Sequence, residues 1–175
     1  MNKPDSTLRY MTDSQNALTF GWHFFNNFTK EEFPEGVLHY LMYDVVYYLQ
    51  ELRTYIDAPI LINPLVSAWI RPEQQDTAHS TNSGKELSTA GDVFVHKEDW
   101  FKIMTYAPKF FRGVGLYLDK TLGGENLPMF HLDIYHGQIN RPRPLFWTHT
   151  NDGGYRYDNA GIVENIVKAQ TKWGK

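Results

Sequence analysis

Leu38, Leu41, Val45, Leu49, Leu52 and Ile56 recur at steps of 3, 4, 4, 3 and 4 residues. That spacing predicts one long helix with a single buried face. Thr29-Lys30-Glu31-Glu32 ahead of it has the form of a capping box. The helix should end near Asp57-Ala58-Pro59, because the residue before a proline resists the α region. Ile60-Leu61-Ile62 reads as a short buried strand. After Asn63-Pro64, the residues Val66, Ala68 and Ile70 alternate with Leu65, Ser67, Trp69 and Arg71. This predicts a second extended segment with Arg71 on the face opposite Ile70, broken by Pro72. Val93-Phe94-Val95 predicts a strand with Asp92 at its mouth. Trp100, Ile103 and Met104 give a short helix its buried stripe, and Pro108 closes it. Residues 113–118 and 129–135 read as an antiparallel hairpin across the turn-rich 119–128. Arg141 to Pro144 suggests an extended run into a last strand, Leu145-Phe146-Trp147, with a loop at Asn151 to Gly154 beyond it. Ile162, Val163, Ile166 and Val167 mark a C-terminal helix, with Asp158-Asn159 as its caps. The expected architecture is α+β: helices on one side of a small, mainly antiparallel sheet.

Polar positions within this frame suggest chemistry. In Phe130-His131-Leu132-Asp133-Ile134, successive side chains of a strand point to opposite faces. His131 and Asp133 therefore share one face, and the three apolar residues pack on the other. His79 lies in a polar, glycine-punctuated stretch between Glu73 and Thr89. Loops of that length are usually functional or disordered. The stretch ends in Ala90-Gly91-Asp92. Two imidazoles, His79 and His131, and two carboxylates, Asp92 and Asp133, are thus offered to a single metal ion. Two histidines and one aspartate are a known catalytic zinc set that leaves a fourth position for water.

Charge and composition narrow the alternatives. Seventeen basic against 20 acidic side chains, a net charge of −3, give no electrostatic case for nucleic acid. With no cysteine, any metal must be held by histidine and carboxylate. The 11 Tyr, 11 Phe and 5 Trp are expected mainly in the core and as amphipathic surface rings. Gly113-Val114-Gly115 is not a dinucleotide fingerprint, since no helix opens after it; close backbone approach in a sheet explains it better. His39 and His96 read as packed or surface residues, His136 as a neighbour of the site at most, and His149 has no assigned role. The first sixteen residues are polar, lack the apolar core of a signal peptide, and are expected to form a mobile arm. Residues 17–175 should make one domain. No run reaches the length of a membrane span, so no membrane insertion is expected.

The order R-P-E at Arg71, His79, a small-residue loop, A-x-D at Asp92, G-x-G-x-Y at Gly113 to Tyr117 and F-H-x-D at Phe130 to Asp133 resembles the zinc D-Ala-D-Ala peptidases. These share a fold with the Hedgehog signalling domain, and the likeness is closest to small bacteriophage-encoded members. It spans roughly Phe28 to Trp147. The resemblance implies a Hedgehog/DD-peptidase-like fold with a zinc ion held by His79, Asp92 and His131. It places Arg71 beside the substrate, and the implied reaction is hydrolysis of peptidoglycan stem peptides or cross-links by a metal-activated water. The pattern departs from the family in two places. His79 and Asp92 are thirteen positions apart, where H-x-x-G-x-A-x-D is usual, although Gly84-Lys85-Glu86 resembles a longer-loop variant. The acidic base that many branches carry three residues before the last histidine is Pro128. Asp133, and after it Glu86, are the candidate proton carriers; Asp133 is also placed to orient a ligand imidazole or to pair with Arg71. The alternative is a virion structural protein, or a cell-wall-binding module, that keeps the fold without turnover. The expected setting is synthesis in the host cytoplasm, then release to the cell wall or association with other virion proteins.

Overall fold

In a computed structural model of the chain the described residues are 25–72, 77–81, 87–134 and 145–174. A six-stranded sheet organises them. Its strands are β1 (Ile60–Ile62), β2 (Ala90–Val95), β3 (Gly113–Tyr117), β6 (Met129–Asp133), β7 (Leu145–Thr150) and β8 (Gly154–Arg156), in the spatial order β1-β2-β6-β3-β7-β8. All pairs are antiparallel except β3 with β7. A small hairpin of β4 (Thr121–Leu122) and β5 (Glu125–Asn126) links β3 to β6. Among the described residues the α-helices are α1 (Tyr43–Ile56), α2 (Trp100–Tyr106) and α3 (Asn159–Trp173). The fold is α+β with a mainly antiparallel sheet, as the alternation predicts.

Period-two patterning gives the sheet two different faces. Val93 lies opposite Phe130, which lies opposite Leu116, and Leu132 lies opposite Val114. These three partners, with Phe130 and Leu132 themselves, are buried in one core with Val45, Leu49 and Leu52 of α1 and Ile103 of α2. Trp69 closes this layer. Its ring packs against Phe33 at 5.0 Å and its indole N–H donates to the Asn63 carbonyl at 2.8 Å. The other face carries Asp92, His131 and Asp133.

Several elements differ from expectation. The helical stripe starts too early: Leu38 lies in a 3-10 turn, Val37–His39, and α1 begins at Tyr43. The Ser88 N–H donates to the Tyr40 carbonyl, and Met42 N–H donates to the Ser88 carbonyl. Leu41 is thereby bridged to Ser88, and that backbone is not available for helical bonds. The capping box is present, with the Glu32 carboxylate accepting from Thr29 N–H, but it opens only the 3-10 turn Lys30–Glu32. The alternating stretch 65–71 is not a strand. Asn63 Oδ1 accepts from Leu65 N–H, and the chain coils into the 3-10 turn Val66–Ala68 with Leu65 and Val66 exposed.

Towards the C-terminus, Leu145-Phe146-Trp147 is neither the last strand nor its end. β7 continues through His149, and β8 follows a turn at whose exit Gly154 has a φ of 64°. Asp92 lies inside β2 rather than at its mouth. In α3, Asp158 caps the helix by accepting from Gly161 N–H at 2.7 Å. Its buried residues are Gly161, Asn165, Ala169 and Trp173, whereas Val163 and Val167 are exposed. Gly161 allows close approach, since a Cβ there would meet the Arg156 guanidinium, and the buried Asn165 amide donates to Thr148 Oγ1 at 2.8 Å. No helix among the described residues is long and apolar enough to cross a membrane. The N-terminal arm at 1–16, Glu73, Gly84-Lys85-Glu86, His136, Arg141 and Arg143 lie outside the described residues.

Candidate metal centre

Strand register puts two of the expected ligands side by side. Asp92 of β2 lies directly opposite His131 of β6, and residues directly opposite share a face. On its other side His131 faces Gly115 of β3, and Asp133 faces Gly113. His79 arrives from outside the sheet. Arg71 N–H donates to the His79 carbonyl at 2.8 Å, and Thr89 N–H donates to the Ala78 carbonyl at 2.8 Å. The segments before and after the loop thus pin His79 over Asp92. This is how two ligands thirteen residues apart come together.

The donor atoms converge. His79 Nε2 is 2.9 Å from His131 Nδ1 and 3.2 Å from Asp92 Oδ1, and His131 Nδ1 is 2.9 Å from the same oxygen. All three residues are buried, and the described residues contain no other group of this kind. A triangle with these edges has a circumradius of about 1.7 Å, inside the ~2.0–2.1 Å bonds that zinc makes to nitrogen and oxygen. One ion could therefore be shared by all three atoms. The proton count gives a second test of fit. His131 Nε2 is 3.2 Å from Asp133 Oδ2. If that nitrogen carries the proton and donates to the carboxylate, His131 Nδ1 turns a lone pair towards the Asp92 lone pairs. Something positive must then sit between them, either a second proton or a cation. A carboxylate behind a ligand imidazole is also the arrangement that metal sites use to fix the tautomer. The buried His79-Asp92-His131 group can hold a metal ion.

The electrostatics express the same competition. Burial works against charge on His131, but hydrogen bonds to Asp133 and Asp92 outweigh it and push its pKa up to about 9. Burial also opposes the Asp92 carboxylate, yet the neighbouring His79 and the hydrogen bonds from both imidazoles hold its pKa well below the usual range. Desolvation lowers the pKa of His79, which favours the neutral form a metal needs. Among the described residues His79 Nδ1 has no hydrogen-bond partner. Arg71 Nη2 lies 3.4 Å from Asp92 Oδ2, the oxygen turned away from the imidazoles, and its Nε donates to the Ser67 carbonyl at 2.9 Å.

Arg71, His79, Asp92, His131 and Asp133 are therefore gathered in one place, whereas Glu86 lies outside the described residues. His39 and His96 are exposed. At Pro128, where many branches of the resembling family carry an acid, the carbonyl accepts from Val95 N–H. Trp147 is a neighbour that the sequence did not reveal. Its ring centroid is 5.1 Å from that of His131, and a Cβ on Gly115 would lie 2.3 Å from its indole. The glycines of β3 do serve close approach, as their spacing suggested: at Gly113 a Cβ would collide with the Asp133 carboxylate. The signal for Trp147 was the glycine opposite His131, but placing it required the parallel register of β7. A groove of about 420 Å³ near Gln50, Arg53 and Asp57 shares no residue with the cluster. No family model, curated protein or solved structure matches the chain.

Proposed function

We propose that this chain is a zinc-dependent peptidase with the Hedgehog/DD-peptidase fold that cleaves peptidoglycan stem peptides or cross-links. The observation that carries the reading is the buried donor triangle of His79, Asp92 and His131, with Asp133 behind His131. Its residues occur in the order that resembles the D-Ala-D-Ala peptidases. When bound, zinc supplies Lewis-acid polarisation of the scissile carbonyl and activates a water at neutral pH.

The chain's own residues supply the rest. His79 and His131 contribute neutral imidazoles, and Asp92 contributes the one charge of the donor set. Arg71 neutralises part of that charge through Asp92 Oδ2. Its side chain is one-third exposed, and its planar fork suits a substrate carboxylate or developing oxyanion. Asp133 holds the proton on His131 Nε2. A carboxylate so engaged suits orientation of the ligand better than proton shuttling, which leaves Glu86 as the alternative carrier. A second reading, a virion or cell-wall-binding protein without turnover, is supported by Pro128 in place of an acid.

Metal analysis of the purified protein, together with release of D-alanine from a D-Ala-D-Ala-terminated peptide, tests the proposal. Stoichiometric zinc with release is expected. Zinc without release favours the binding module, and no zinc at any pH refutes the peptidase reading.

A further inference from the structure

The sheet face that carries the cluster continues towards β8 as a row of aromatic rings. Trp147 packs on His131, and Tyr157 follows 6.3 Å from Trp147 at an interplanar angle of 31°. Tyr155 lies 6.2 Å from Tyr157 at 17°. Trp147 is buried, whereas Tyr155 and Tyr157 are each 54% exposed. The exposed Tyr155 is nevertheless held in place. His149 packs edge-on against its ring at 4.6 Å, and the Tyr117 hydroxyl is 3.3 Å from its own. An exposed ring that is fixed on several sides has already lost the freedom that binding would otherwise cost.

Ring orientation and charge decide between ligands. A cation is best held by ring faces directed at one point, whereas the exposed Tyr155 and Tyr157 run near-parallel, with Trp147 tilted by 31° beside them. Flat ligands suit such a row, and nucleobases are among them. Asp158 and Glu164, however, engage Arg156 on the opposite face of β8, and among the described residues the cation beside the rings is Lys120, 5.6 Å from the Tyr117 ring centroid. One lysine, on a chain with a net charge of −3, is too little positive charge to hold a polyanion. A neutral pyranose, with C–H groups on its flat face and hydroxyls at its rim, fits tyrosines that have an apolar body and a polar tip.

We propose that Tyr155 and Tyr157 form a stacking platform for a pyranose ring, so that a glycan strand lies along the β7–β8 edge while its attached peptide reaches the His79-Asp92-His131 cluster. The identity of the attached peptide rests on the peptidase reading; the sugar rests on the rings.

The probe is chitotetraose, four β-1,4-linked N-acetylglucosamines, titrated into the full chain and followed by NMR and calorimetry, with zinc and again in chelator. Saturable binding that shifts the Tyr155 and Tyr157 ring signals is expected under both conditions. Tyr155→Ala/Tyr157→Ala should weaken it at least about tenfold, the scale of one aromatic stacking contact. Tyr155→Phe/Tyr157→Phe should retain most of it, which separates stacking from misfolding. No binding to the wild type, or equal binding to the alanine variant, overturns the platform. So does preference for a proline-rich peptide over the sugar, or a dimer that the alanine variant abolishes. Because the titration does not depend on metal, a protein without zinc or turnover would refute the peptidase reading and leave this result to stand or fall separately.

Discussion

Gly113→Ala tests whether Asp133 acts through His131. A Cβ at this position would lie 1.9 Å from Asp133 Oδ2, and ordinary contact begins at 3.4 Å. The carboxylate must therefore retreat by about 1.5 Å, and its 3.2 Å contact with His131 Nε2, already near the limit for a hydrogen bond, is expected to break. Gly113 has no positive φ, so the added methyl brings a steric effect without backbone strain. Loss of the partner behind a ligand histidine typically costs 10- to 100-fold in metal affinity, or about 1.4–2.7 kcal/mol. Competition against a chromophoric chelator measures this directly. The cycle is completed with Asp133→Ala and the double variant. If glycine matters because of the carboxylate, Gly113→Ala should add little in the Asp133→Ala background. Wild-type zinc affinity in Gly113→Ala would refute the argument, as would losses that simply add.

Other expectations follow from the same geometry. The metal-free protein should lose stability as pH rises through about 9, because the raised pKa of His131 contributes stability in full only below its unfolded value of 6.5. Zinc affinity should rise over the same range as the competing proton leaves; melting curves in chelator that are flat or climb from pH 6.5 to 9.5 would contradict this. Zinc-loaded Asp133→Asn should show weakened zinc retention, whereas Glu86→Gln should retain zinc and lose rate if Glu86 carries the proton; wild-type rates in both would show that neither does. His39→Ala and His96→Ala should keep full metal content by elemental analysis. Asn165→Ala removes the amide that bonds the buried Thr148 hydroxyl and should cost about 1–3 kcal/mol in urea unfolding; a change under about 0.5 kcal/mol would show that the pair contributes little.

The sequence made the site more legible than the path of the chain into it. Strand alternation alone put His131 and Asp133 on one face and their apolar neighbours on the other. The pairing of Asp92 with His131 depends on strand register, which a single sequence does not encode locally. Leu38 and Leu41 fit a helical period, yet hydrophobic spacing does not reveal that Tyr40 and Met42 bond to Ser88 instead. In α3 the apolar count pointed to Val163 and Val167. The buried face is built instead from glycine, asparagine, alanine and tryptophan, because closeness and a polar bond to Thr148 decide which residues face the sheet. β8 is three residues long and too short to show a period.

His79 and His131 are 52 residues apart, and the cluster depends on the alignment of β2 with β6. Closing so long a loop has an entropic cost that local contacts do not offset, so this region is expected to assemble after the nearer β3–β6 hairpin. A metal added to the folding chain then meets no finished donor set until the slowest step has passed. Stabilisation gained after the transition state slows unfolding and leaves the folding rate unchanged. In stopped-flow chevrons zinc should thus lower the unfolding arm and spare the refolding arm, making the ion a clasp that lengthens the lifetime of the native state.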